Sequence, residues 1–261
     1  MGWKGMLIGS YLGGVLGHLP GSLLGAILGH KVEDVLFGGK RKVPYSSMSP
    51  RNRSTVFCAS AAAMLAKMAK ADGVVTQSEI AGVENAFRRL GFTPAARRYA
   101  VNVFRTAKDD AYSIYDYARE FATAVDSIDV RELFYELLWD IACADGTVGP
   151  KELLILQRIP RALGIRIEWY GYFASRRQGG GRRSEGAAAQ RDPLADAYAV
   201  LGACADDSAD ELKRKYRDLA KRNHPDALRA QGLPEEMVGK ATERMSRINA
   251  AWSTIREARG I

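Results

Sequence analysis

Read from the amino terminus, apolar positions first run almost unbroken, then recur at helical spacing, pause, and recur again. From Gly5 to His30 no Asp, Glu, Lys or Arg occurs. As a helix rising 1.5 Å per residue this stretch would span roughly 39 Å, more than a hydrocarbon core of about 30 Å. Within it glycine recurs every fourth residue, at Gly5, Gly9, Gly13, Gly17, Gly21, Gly25 and Gly29. On a helix these positions line one slowly drifting face along which another helix can approach closely. In water so much glycine would melt a helix; in a bilayer the unsatisfied backbone groups enforce one. The pattern predicts a single-pass transmembrane anchor over 1–31, packing through Gly9, Gly13, Gly17, Gly21 and Gly25 into a homodimer. Pro20 keeps a second arrangement open, a glycine-zipper hairpin broken at His18-Leu19-Pro20-Gly21. A cleaved signal peptide fits less well, because the n-region is weak and the segment long.

Lys4 stands alone on one flank of this segment, whereas Lys31, Lys40, Arg41, Lys42, Arg51 and Arg53 follow the other. That bias places the body and carboxy terminus in the cytoplasm. The basic run over 32–52 is either a contact for anionic lipid head groups or a solvated linker.

From 53 to 175 the pattern is helical. Leu133, Phe134, Leu137, Leu138, Ile141 and Ala142 make one apolar stripe. Thr76-Gln77-Ser78-Glu79 is a capping-box pattern, Pro150 suits a first helical turn, and Gly91, Pro94 and Gly164 punctuate helix ends. An internal repeat lies here. Ala69-Lys70-Ala71-Asp72-Gly73-Val74-Val75 leads to Glu79 and Ile80, and Ala142-Cys143-Ala144-Asp145-Gly146-Thr147-Val148 leads to Glu152 and Leu153. The spacing imitates the end of an EF-hand loop. However, the first and third loop positions would be Met68 and Lys70, or Ile141 and Cys143, which offer no oxygen ligands for calcium. Two roles remain for Asp72, Glu79, Asp145 and Glu152: tight turns with glutamate caps, or a divalent ion shared by the two repeats. On these paired A-D-G…E motifs the segment resembles the TerB-like helical domain of tellurite resistance. The resemblance implies an interaction module or metal-binding module.

Residues 176–191 contain Gly179-Gly180-Gly181, Ala187-Ala188-Ala189 and several arginines, the composition of a flexible basic tether that lets the last domain swing. It lacks interleaved aromatics, so no nucleic acid is expected as a partner. From 192 to 261 three helices are predicted. The first is opened by Asp192-Pro193 and ended by Gly202. The second follows Asp206-Asp207-Ser208 and runs to about Arg222, with Leu212, Tyr216, Leu219 and Ala220 inward. The third spans Glu235 to Glu257, with Ala241, Met245, Ile248, Asn249, Ala251, Trp252 and Ile255 along its stripe. Asn223-His224-Pro225-Asp226 interrupts the second helix, since proline disfavours helical geometry just before itself. The second and third helices form an antiparallel hairpin.

Charge separates the candidates for function. The whole chain of 261 residues carries a formal +8, which by itself suits nucleic acid, anionic lipid or an acidic protein equally. Its distribution is more telling. From Leu212 to Arg222, Lys213, Arg214, Lys215, Arg217, Lys221 and Arg222 stand against Asp218 alone, in a domain otherwise acidic. Such a stripe is either a solvated face or a dock for an acidic groove on a protein partner. The three cysteines, Cys58, Cys143 and Cys204, form no C-x-x-C and sit in apolar or alanine-rich patterns, which predicts buried small hydrophobes in a reducing compartment. The histidines His18, His30 and His224 are too scattered for a metal cage.

Tyr198-Ala199-Val200-Leu201-Gly202, Lys215-Tyr216-Arg217-Asp218-Leu219-Ala220, His224-Pro225-Asp226 and Ile248-Asn249-Ala250-Ala251-Trp252 follow one another in the order of a J domain. The last 70 residues resemble that domain throughout; one departure is Ala227, where many J domains carry lysine. The resemblance implies a mechanism. Lys213, Arg214, Arg217 and Arg222 would dock on the ATPase domain of a DnaK-type chaperone. His224 and Asp226 would bind where that domain meets its interdomain linker, with Pro225 fixing the loop. The ATP and magnesium sites would belong to the partner, so the chain is expected to be neither an enzyme nor a cofactor binder. Anchor, TerB-like middle and terminal J domain together resemble the DnaJ-like membrane-anchored co-chaperones, an all-α class, and the resemblance implies a bacterial inner membrane. Alternatives are a membrane scaffold with a vestigial J domain and a metal-responsive stress protein.

Overall fold

The computed structural model describes residues 45–71, 73, 75–143, 148–165 and 192–261. Among them there are ten α-helices, two short 3-10 turns and no strand. No described helix is long and apolar enough to cross a membrane. The predicted anchor with its packing glycines, the linker up to residue 44 and the tether over 176–191 lie outside the described residues.

The middle domain consists of α1 (Pro50–Ala71), α2 (Gln77–Arg89), α3 (Pro94–Ala107), α4 (Ile114–Ala124), α5 (Ile128–Ala142) and α6 (Pro150–Leu163). Thr76, Thr93, Ser113 and Ser127 each start the helix that follows by accepting a hydrogen bond from the backbone N–H three residues on. Pro94 and Pro150 occupy first-turn positions, where a missing N–H does no harm. Helix α1 is the hub. Every residue from Val56 to Ala66 is buried, and α2 to α6 all pack on it. A helix apolar on all sides must be enclosed on all sides, and its alanines let the neighbours close in. Phe57 meets Phe121 and Phe134 edge-on at 5.7 and 5.0 Å, and those two stack at 3.9 Å. This favoured aromatic geometry ties α1, α4 and α5 together.

The last domain consists of α7 (Pro193–Leu201), α8 (Ala209–Asn223), α9 (Pro225–Ala230) and α10 (Val238–Arg259). Gly202 stops α7 in the left-handed region (φ 58), and the Ala203 N–H closes the turn on Tyr198 O at 2.9 Å. A Ser208–Glu211 capping box opens α8. Arg259, at the end of α10, donates to Ala205 O and Asp207 O beside the start of α8 (2.6 and 3.1 Å). Tyr216 of α8 stacks on Trp252 of α10 at 4.9 Å. The two helices therefore run antiparallel, and α7 packs against α10.

Three expectations need correction. Cys58 is buried, but Cys143 is only half-buried and Cys204 is exposed, because Cys204 falls past the Gly202 stop and outside any helix. The third predicted helix begins as a separate 3-10 turn, Glu235–Met237, before α10. The tether suggests a last domain without a fixed seat, whereas in the structure that domain packs on the middle domain through α5.

Candidate functional site

Helix α8 ends where Pro225 requires an extended residue before it, and His224 supplies one (φ −62, ψ 130). His224 is at once the C-cap of α8 and the N-cap of α9. Its Nδ1 accepts the Asp226 N–H at 3.2 Å, so the neutral ring carries its proton on Nε2. Pro225 takes the first position of α9, and Asp226 pairs with Arg229 at 2.9 Å. Beneath the loop, Asn223 is buried and its Nδ2 donates to Leu219 O (2.9 Å), while Leu228 and Leu233 pin α9 to the core. The side chains of His224 and Asp226 nonetheless stay 55% and 75% exposed. A rigidly seated loop thus presents an imidazole and a carboxylate outward. The sequence predicted the helix break but not that Pro225 would open a further short helix.

Lys213, Arg214, Arg217 and Lys221 are exposed on α8. At 100° per residue, 213, 217, 221 and 224 fall within about 80° of one another, so the basic row leads to His224. Lys215 is diverted: it bonds Asp207 at 2.5 Å, and this bond, with the Cys204 N–H, holds the Asp207 carboxyl below the usual range. Arg222 is also diverted. Its guanidinium is given to Asp129 of α5, with Nε donating at 2.9 Å and Nη2 reaching the same oxygen. Burial disfavours the charge on Arg222, yet the hydrogen bond and charge of Asp129, with Glu132 and Asp218, raise its pKa on balance.

That contact is one rung of an interface the sequence reading missed. Asp129, Glu132, Glu136 and Asp140 recur along α5 opposite its apolar stripe, and Lys240, Arg244 and Arg247 recur along α10. Arg244 pairs with Glu132 at 2.7 Å, Arg247 with Glu136, and Lys240 with Asp140 and, at 3.7 Å, Glu136. Ser54 donates to Glu236 at 2.8 Å, and Ser127 to Gln231. The signal was present as two charged stripes of opposite sign and matching helical spacing.

Of the metal candidates, Asp72 and Asp145 lie outside the described residues. Glu79 caps α2 by accepting the Thr76 N–H at 2.5 Å, and Glu152 accepts the Gly149 N–H at 2.9 Å at the start of α6. Both therefore hold the capping role predicted for them. Lys151, in the first turn of α6, donates to Ala71 O at the end of α1 at 3.0 Å. Among the described residues no group of three His, Cys, Asp or Glu is placed to hold a metal ion.

Comparison with known proteins agrees with this layout. The family of the tellurite resistance protein TerB matches residues 59–170, and the DnaJ domain matches residues 196–259. Co-chaperone protein DjlA of Photobacterium profundum is 33% identical over 98% of this chain and 99% of its own. The DjlA proteins of Vibrio cholerae and Escherichia coli K12 are 33% and 32% identical, covering 82% and 80% of this chain and 81% and 82% of theirs. No solved structure matches the chain. With a TerB domain followed by a J domain, and this identity along nearly its whole length, the chain belongs to the DjlA family of J-domain co-chaperones.

Proposed function

We propose that this co-chaperone stimulates ATP hydrolysis by a DnaK-type chaperone through His224-Pro225-Asp226, and that its amino-terminal segment brings the chaperone to the inner membrane. The observation that carries the first half is the exposed His224 and Asp226 at the end of a basic helix row, on a loop fixed by Pro225 and by the Nδ1 cap. An acidic groove on the partner is steered in by Lys213, Arg214 and Arg217 and held in register by the loop. Stimulation requires that the loop bind the hydrolysis-competent state of the partner more tightly than the resting state. The chain supplies that differential affinity while the chaperone supplies the nucleotide chemistry, so the chain is not itself an enzyme. The test is single-turnover ATP hydrolysis by the cognate chaperone, with residues 43–261 beside their His224→Gln variant.

The helix row makes its own prediction. Replacing Lys213 and Arg217 with alanine should raise the concentration for half-maximal stimulation by about tenfold, roughly 1.4 kcal/mol. Helix content by circular dichroism should not change, since both side chains are exposed. An unchanged concentration dependence removes α8 from the docking surface.

The membrane half rests on the uncharged Gly5–His30 stretch and the basic residues that follow it. Lipid contact and homodimerisation along the glycine face belong to the same proposal. Deleting residues 1–31 should move the chain from the membrane fraction to the soluble fraction of fractionated cells. Finding the intact chain soluble overturns the anchor.

A further inference from the structure

Helix α5 faces two ways. Leu133, Phe134, Leu137 and Leu138 fill the core of the middle domain, while Asp129, Glu132, Glu136 and Asp140 lie on a stripe about 80° wide turned towards the J domain. Each of these carboxylates meets a cation of the J domain, and the two central carboxylates, Glu132 and Glu136, are shielded from water. The Glu132 and Arg244 side chains are 1% and 2% exposed, and Glu136 and Lys240 are 1% and 7% exposed. Charges this desolvated are tolerated only when their partners are in place. The match of four acids to four bases is therefore a built interface.

Its lowest rung reaches the site. Arg222 lies two residues before His224, and both its Nε and Nη2 are committed to Asp129. Asp129 occupies the edge of the guanidinium that offers Nε–H and Nη2–H together, so a carboxylate of another protein cannot take that paired grip while the contact holds. The rest of the site is left open: Lys213, Arg214 and Arg217 are exposed, as are His224 and Asp226. In the docked form the chain thus offers a partner the loop and most of the basic row, and holds back the last cation of α8.

We infer that the acidic stripe of α5 is an intramolecular dock for the J domain, and that it competes with the chaperone for Arg222. This inference rests on the reading that α8 and the loop bind a DnaK-type chaperone. Encounter begins on the exposed end of α8. Full engagement requires Arg222 to leave Asp129, so the free energy of that contact is subtracted from the chaperone's affinity. A binding-competent state that is only partly populated weakens apparent affinity by its population. The middle domain sets how readily the J domain works, and whatever binds or displaces α5 tunes it.

The test is the full-length chain carrying Asp129→Asn, which removes one carboxylate charge from the middle domain and alters nothing on the J domain. Two measurements are made on it and on the unmodified chain. The concentration for half-maximal stimulation of single-turnover ATP hydrolysis should fall by about threefold to tenfold with the maximum unchanged, as expected when a competing state is emptied. Amide hydrogen exchange over residues 219–224 and 238–248, without chaperone, should become faster. If the unmodified chain stimulates and Asp129→Asn leaves the half-maximal concentration unchanged or raises it, α5 is a platform and not a competitor, and the inference is overturned. If the unmodified chain gives no stimulation at any concentration, the chaperone-binding reading itself fails, and the competition falls with it.

Discussion

His224→Gln is expected to bring stimulation of the chaperone down to the unstimulated rate, a loss of at least about tenfold or 1.4 kcal/mol in the activation barrier. The structure gives the imidazole two jobs that the experiment must separate. Nδ1 caps α9 by accepting the Asp226 N–H, and Nε2–H on an exposed ring is available to a partner. Glutamine removes both, and loss of a cap alone costs about 1 kcal/mol. Asparagine is among the best N-caps, so His224→Asn should keep α9 seated while removing the ring. If the ring makes the contact that matters, both variants are inactive. If capping is all His224 does, the asparagine variant keeps most of the stimulation and the proposed role of the ring is wrong. Unfolding by denaturant with circular dichroism should show the asparagine variant within about 0.5 kcal/mol of the parent, so a dead but stable protein isolates the contact.

What the sequence reveals about this molecule depends on how local the signal is. The Ser208–Glu211 and Thr76–Glu79 boxes, the Gly202 and Gly164 stops and the break at Pro225 all act within a few residues. They are legible because backbone geometry alone decides them. The J-domain hairpin is legible because each of its long helices carries its own apolar stripe, Leu212, Tyr216 and Leu219 on one and Ala241, Ile248 and Ile255 on the other. The α5–α10 interface was not. Glu132 and Arg244 are 112 residues apart, and each sits on the polar side of an amphipathic helix, where charge ordinarily means water. Read singly, Asp129, Glu136, Lys240 and Arg247 look like solvated positions; only the complementary spacing of the two stripes marks them as partners. Cys204 failed for the opposite reason. Its alanine-rich neighbours suggested burial, but Gly202 had already ended the helix that would have buried it.

The Glu132–Arg244 pair should govern whether the two domains stay together. Arg244→Ala leaves the Glu132 carboxylate in a site from which water is excluded, without the guanidinium held 2.7 Å away. Breaking a buried pair in this way typically costs about 3–5 kcal/mol. Neither domain needs to unfold to escape that cost, because separating them returns the carboxylate to water. The expected result is undocking: a fluorescent donor and acceptor placed one on each domain should move apart, while circular dichroism is retained. Thermal unfolding should be a single coupled transition in the parent and should split into two in the variant. The converse substitution decides whether charge or shape holds the dock. Replacing both partners with apolar residues of similar size, Glu132→Leu with Arg244→Met, removes the desolvation problem along with the attraction, and such exchanges are often neutral or stabilising. The double variant should therefore re-dock, giving a coupling energy of roughly 1–3 kcal/mol between the two positions in a double-mutant cycle. If Arg244→Ala keeps the domains at the parental distance with a single unfolding transition, the pair is not what joins them. The remaining rungs at Asp129, Glu136 and Asp140 would then have to hold the J domain in place by themselves.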